Sequence, residues 1–242
     1  MAATMYLAMT AAEFSGSGHL PASLCWMAGH FSLYDRGLSN LPSSLPVHSI
    51  LIVNDRIPWC GHDSALILKQ LEQAVHRLRL YGILLDFEEP DCPELRSLAE
   101  LLTASLPCPV AVADRYAENL ACPVFLSPCP HHTPLAEYLQ PWAGREIWLD
   151  LARDAQMLTL TKTGCITSPL PLGELPEGGH RDERLHCHYC TETTPDCARF
   201  TLWRTAEDLE ALAQEAESLG VKTMVGLYQE LHCANAEKHP SR

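Results

Sequence analysis

Between Tyr81 and Pro90 the chain reads Tyr-Gly-Ile-Leu-Leu-Asp-Phe-Glu-Glu-Pro, a short apolar run that breaks into Asp86, Glu88, Glu89 and a proline. An uninterrupted apolar run of this length suits a parallel strand covered on both faces. A strand has a period of two, so Asp86 and Glu88 leave one face while Phe87 and Glu89 leave the other. Two carboxylates at one strand end provide for acid/base chemistry. The apolar strand beneath raises the pKa of the more buried one, which then holds a proton while its neighbour stays charged. The plain alternative is a buried strand with a solvated acidic exit.

The same pattern of apolar run and polar exit recurs along the chain. Strands are expected at Tyr6–Thr10, Leu24–Phe31, Val47–Val53, Gly82–Leu85, Cys108–Ala113, Val124–Leu126, Glu146–Asp150 and Val221–Tyr228. Ser15 to Gly18 is a loop, and Gly37 to Pro46 a loop or a single helical turn. Asp63 can cap a helix with Leu68, Leu71, Val75 and Leu78 on one face. Pro93 opens a helix carrying Leu95, Leu98, Leu101 and Leu102, and Glu137 to Trp142 forms a short one. Thr205 to Asp208 reads as a capping box before Leu209, Leu212, Ala213, Ala216 and Leu219, and Gly220 stops that helix. Leu158 to Thr163 alternates with period two, which predicts a half-exposed hairpin. From Ser168 to Asp196 the composition turns to Pro, Gly, His, Cys and charge, an excursion from which Phe200–Trp203 brings the chain back. The expected fold is α/β, a compact (β/α)8 barrel as one domain over residues 1–233, with a His/Cys/Pro-rich insertion at 155–199 and a tail at 234–242. The length of 242 residues suits it, since such barrels run to about 250. Their active sites lie where the strands end, here at Glu13, His30, Asp55, Asp86 with Glu88, Asp114, His131-His132, Asp150 and Glu230.

The central strand resembles the signature of the family-18 glycoside hydrolases, the chitinases and related spore-cortex and endoglycosidase barrels, written DGxDxDxE. Gly82 sits on its Gly, Asp86 on its last Asp and Glu88 on its catalytic Glu, while Tyr81 replaces the first Asp and Leu84 the middle one. The resemblance implies that Glu88 protonates the glycosidic oxygen. It also implies that Asp86 orients the substrate's own acetamido group as nucleophile, the substrate-assisted exception to the two-carboxylate scheme, on a β-linked N-acetylhexosamine glycan. The family's SxGG motif is absent at Val53–Arg56, and its MxYD motif is absent at Ser127–Cys129. Tyr228 occupies roughly the place of the Trp that floors the sugar site, and Tyr116, Trp148, Asp150, Asp55 and Glu13 are the further candidate substrate contacts. Trp26, Trp59 and Trp203 also fall near strand ends, where rings can stack on sugar faces. The departures keep a second expectation open, a catalytically silent barrel that binds a glycan or a protein.

Two metal readings stand beside these. His186, Cys187, Cys190 and Cys197 have the donor types for zinc. His131-His132 with Asp86, Asp114 and Asp150 could instead serve a metal-dependent hydrolase. A formal charge of -13 argues against a nucleic-acid backbone or an anionic membrane as partner; a carbohydrate partner is what the resemblance implies. Eleven cysteines, an odd number, with no secretory signal at Met1–Thr10 suit reduced thiols in a cytoplasm, and no motif sets the oligomeric state.

Overall fold

The structure, a computed structural model, describes residues 2–17, 20–57 and 61–231, so that Trp59 and the 234–242 tail lie outside the described residues. The chain divides into two compact units. The first comprises Met1–Ser127, Gly144–Asp150 and Val221–Gln229 and contains the parallel barrel. Its elements are β1 (Thr4–Met9), α1 (Ala11–Gly16), β2 (Leu24–Phe31), β3 (Leu38–Ser39), β4 (Ile50–Asn54), α2 (Ser64–Leu78), β5 (Gly82–Asp86), α3 (Pro93–Ser105), β6 (Val110–Ala113), α4 (Asp114–Ala117) and β7 (Val124–Leu126). β8 (Ile147–Leu151) and a last strand, Thr223–Leu227, complete it. Each of the eight parallel strands falls on a run the sequence marks as apolar. The barrel closes through β1 against β2, with Leu7, Ala8 and Met9 opposite Leu24, Cys25 and Trp26. The stretch expected as a loop or helical turn instead carries β3, an antiparallel two-residue addition to β2.

Period two divides the strand residues between two cores. Tyr6, Ala8, Cys25, Ile50, Ile52, Leu84, Ala111, Phe125, Trp148 and Val225 fill the interior. Leu51, Val53, Ile83 and Leu85, one residue out of phase, are equally buried on the outer face. The helices supply matching stripes, Ile67, Leu71, Ala74, Val75 and Leu78 on α2, and Leu95, Leu98, Ala99 and Leu102 on α3. Asp63 caps α2 as expected, accepting the N–H groups of Ala65 and Leu66 at 3.0 and 3.1 Å. Gly82 is required by space: a Cβ there would lie 2.8 Å from both the Trp148 ring and the Pro109 carbonyl oxygen. The glycine matched to the family motif thus admits the indole to the barrel interior.

The second unit comprises Pro128–Ala143, Leu151–Gly220 and Glu230–Arg242. It holds α5 (Leu135–Leu139), β9 (Ala155–Thr161), β10 (Gly164–Pro169), β11 (His180–Asp182), β12 (Cys187–Thr193), β13 (Cys197–Trp203) and α6 (Ala206–Ser218), after which the barrel's last strand is β14. The five strands form one antiparallel sheet in the order β10-β9-β13-β12-β11. The alternating hairpin is β9 with β10, as its period predicts. Phe200–Trp203, expected as the return to the barrel, belongs instead to β13 and pairs with β9 and β12. Its mixed exposure already fits a one-sided antiparallel sheet. The capping box at Thr205 is present, and Asp208, fully buried, also accepts Arg181 Nε at 2.8 Å and lies 2.8 Å from His188 Nδ1. One carboxylate therefore ties α6 to β11 and β12. Among the described residues no helix is long and apolar enough to cross a membrane.

Candidate active site

The C-terminal ends of β4, β5 and β6 assemble the candidate site within the barrel unit. Asn54 on β4 stands in register with Asp86 on β5, and His30 on β2 stands in register with Asn54. Asn54 Oδ1 lies 2.8 Å from His30 Nδ1, and its amide donates to the Met27 carbonyl at 3.2 Å. Asp86 continues the inward-facing series of Gly82 and Leu84 and is half-buried, while Glu88, just past the strand, is exposed. Phe87 points the other way and is buried, 6.0 Å from the rings of both Phe31 and Tyr116.

The backbone beyond β5 is held from two sides. The Asp55 carboxylate accepts the Glu88 N–H at 2.9 and 3.0 Å and the Glu89 N–H at 2.7 Å. On the opposite edge, Arg115 donates to the Glu88 carbonyl and the Tyr116 hydroxyl donates to the Glu89 carbonyl. The direction of the Glu88 side chain is therefore set by residues of β4 and α4 as much as by its own strand.

Electrostatics separate the two carboxylates. Burial, followed by the charges of Glu88 and Asp55, pushes Asp86 up to about 6, with Arg56 and Arg115 opposing. Burial thus lets Asp86 hold its proton to a higher pH than an ordinary aspartate does. A carboxyl group whose folded pKa is raised contributes stability below its unfolded pKa near 4, and this is lost as pH rises through about 6. Asp86→Asn is neutral and nearly isosteric. It is expected to be more stable than the parent at pH 8 by on the order of 2 kcal/mol and equally stable at pH 4. Thermal denaturation at the two pH values checks this, and an Asn variant no more stable at pH 8 would show that the ionised Asp86 costs nothing.

The other candidates separate into those at the rim and those the fold uses elsewhere. Asp150 shares the inward face of β8 with Trp148 and is half-buried; after burial, its charge is what raises the Cys25 thiol. Tyr228 follows β14 directly and is also half-buried. Trp148 and Tyr116 are corrections. Trp148 is 0 % exposed in the N-terminal half of its strand, stacked on Tyr81 at 5.8 Å, so it packs the barrel rather than meeting a bound sugar. Tyr116, 1 % exposed, braces the Glu89 carbonyl and carries Arg96 over its ring at 5.5 Å. Glu13 closes a capping box with Thr10, its Oε2 2.8 Å from both the Thr10 N–H and hydroxyl. Asp55 spends both oxygens on the Glu88–Glu89 backbone. Arg115, Arg56 and Asn54 are the site residues that sequence reasoning missed; their place directly after apolar runs is the signal that could have found them.

The metal readings do not assemble. Cys187 and Cys190, three apart on β12, face opposite sides of the sheet, Cys197 sits opposite Thr161, and His186 Nε2 lies 2.6 Å from Glu215. His131 is buried in the second unit, 3.4 Å from Asp154. Among the described residues no group of three or more His, Cys, Asp or Glu side chains has the geometry to hold a metal ion.

No protein-family model and no curated protein sequence matches the chain. Solved structures do. A family-18 N-acetylglucosaminidase from Paenibacillus barengoltzii is similar at a TM-score of 0.63 and 12% identity, over 96% of this chain and 98% of that one. A variant family-18 chitinase from Cycas revoluta, in complex with (GlcNAc)4, is similar at 0.59 and 11%, over 97% and 98%. The spore cortex-lytic enzyme of Bacillus cereus is similar at 0.59 and 9%, over 97% of this chain and 74% of that one. The chain has the (β/α)8 fold of these glycoside hydrolases.

Proposed function

We propose that the protein is a glycoside hydrolase acting on β-linked glycans that contain N-acetylhexosamine, with Glu88 as general acid/base and Asp86 as the residue that orients the acetamido group. The observation that carries this reading is the placement of Asp86 inside the barrel rim, with Glu88 beyond it in solvent on a backbone held at both N–H and C=O. Glu88, exposed just past the strand, is the carboxylate open to a glycan at the rim. Asp86, inward and hydrogen-bonding in either protonation state, suits an amide better than a leaving group. On burial alone the proton donor would be Asp86. Access favours Glu88 instead, because the bond to be broken must lie where a polysaccharide can pass. The similarity to an N-acetylglucosaminidase and to a chitinase bound to (GlcNAc)4 supports the substrate class.

A second reading, a barrel that binds a glycan without cleaving it, is favoured by two observations. Leu84 stands where the family motif has its middle Asp, and the rings of Trp148 and Tyr116 are withdrawn into packing. Hydrolysis of chromogenic N-acetylglucosamine oligomers between pH 4 and 8, with calorimetric binding to the same oligomers, separates the two. Turnover is the expected result; binding without turnover leaves the second reading, and neither overturns both.

A further inference from the structure

Asp55 ends the β4 segment one residue beyond the strand, and its carboxylate is directed across to the neighbouring strand's exit. Its oxygens take two consecutive backbone N–H groups, those of Glu88 and Glu89, at 2.7 to 3.0 Å. A charged acceptor for two amide donors is among the stronger hydrogen-bond arrangements in proteins. The carbonyls of the same two residues are taken by Arg115 and by the buried Tyr116. Phe87, wedged between Phe31 and Tyr116, fixes the residue before them. With both ends of two successive residues held, the Cα–Cβ direction of Glu88 is determined although its side chain is exposed.

We infer that Asp55 is a positioning residue for Glu88: it aims the Glu88 side chain by holding its backbone, and its charge acts on the neighbouring Asp86. This rests on the glycosidase reading for its catalytic consequence, and the geometry it describes stands apart from that reading. The same role gives the site a built-in coupling. Asp86 faces Glu88 beyond its own strand, Asp55 and Arg56 from the exit of β4, and Arg115 from α4. Removal of the Asp55 charge leaves two cations and one anion around it and lowers its pKa.

The test is Asp55→Asn in the full chain. The amide keeps one acceptor, which in the place of Oδ2 still faces both backbone donors, but its NH2 then replaces the oxygen that takes the second contact from the Glu88 N–H and the charge is gone, so the clamp is weakened while the volume is conserved. Hydrolysis is expected to fall roughly tenfold to a hundredfold in kcat with KM changed far less, the usual cost of a misplaced catalytic group. In the same variant, ¹³C NMR of the Asp86 carboxyl is expected to give a lower titration midpoint, and the Glu88 and Glu89 amide proton resonances are expected to move, while the circular dichroism of the fold is kept. A purely structural Asp55 would instead lower activity only in proportion to unfolded protein, leaving kcat per folded molecule and the Glu88 and Glu89 amide resonances in place. An unchanged Asp86 midpoint together with unmoved Glu88 and Glu89 amides overturns the inference. Absence of turnover in the wild type counts against the glycosidase reading alone, since the NMR measurements still decide for or against the clamp.

Discussion

Replacing Glu88 by Gln is expected to reduce turnover of N-acetylglucosamine oligomers at least ~100-fold, the scale on which positioned general acids contribute. Gln keeps the volume and the hydrogen-bonding reach of the side chain and removes the proton that the proposed general acid would deliver. The backbone clamp does not involve the Glu88 carboxylate, so Asp55, Arg115 and Tyr116 hold the variant residue in the same place. Binding of the oligomers is therefore expected to be retained while kcat collapses, the signature of an interaction used in the transition state and not in the ground state. The Gln variant also removes one of the two charges that, after burial, raise Asp86, so the Asp86 midpoint is expected to move down from about 6. Steady-state kinetics of the wild type and the variant from pH 4 to 8 check both statements. A variant that retains more than a tenth of the activity would remove Glu88 from the role of proton donor and return attention to Asp86, the carboxylate that burial favours as a proton holder.

Replacing Trp148 by Ala is expected to cost the barrel unit about 3–5 kcal/mol, the range for truncating a large buried aromatic. The indole is fully buried, its ring lies 22° from the plane of Tyr81, and Tyr81 in turn stacks on Tyr6 with centroids 5.7 Å apart. This three-ring ladder packs the N-terminal end of the barrel interior, and the Trp148 N–H is taken by Glu146 Oε1 at 3.0 Å. Alanine leaves a cavity bounded by closed strands that cannot collapse inward, strips the stack from Tyr81 and leaves Glu146 without its donor. Chemical denaturation followed by Tyr and Trp fluorescence measures the loss. A cost under ~1 kcal/mol would show that the strands relax into the space and that the ladder contributes little. The ladder also accounts for Tyr81 standing where the family motif carries an Asp. In this chain that position faces aromatic packing, where a carboxylate would be buried without a cation.

The strands and their order were legible because each barrel strand is covered on both faces and so announces itself as an unbroken apolar run between polar exits. The caps at Asp63 and Thr205 were legible because their hydrogen bonds close within a few residues. Phe200–Trp203 was misplaced because a four-residue apolar stretch does not say which sheet receives it; pairing with β9, some forty residues earlier, decides that. Trp148 and Tyr116 look like sugar contacts by their position near strand ends. Which way a side chain turns from there depends on the space left by others, on Gly82 in one case and on Phe87 and the Glu89 carbonyl in the other.

The amino-acid sequence by itself determined the parallel barrel and the place of Asp86 at the end of a central strand, because periodicity and local hydrogen bonding are properties of neighbours along the chain; the strand stops there, so Glu88 lies beyond the strand face expected to carry both. Only the tertiary structure decided which carboxylate is buried, that Asp55 and α4 grip the Glu88 backbone, and that Trp148 and Tyr116, two of the expected substrate contacts, are buried in packing. Desolvation and long-range hydrogen bonds depend on residues brought together from separate strands, and no local pattern records which will meet.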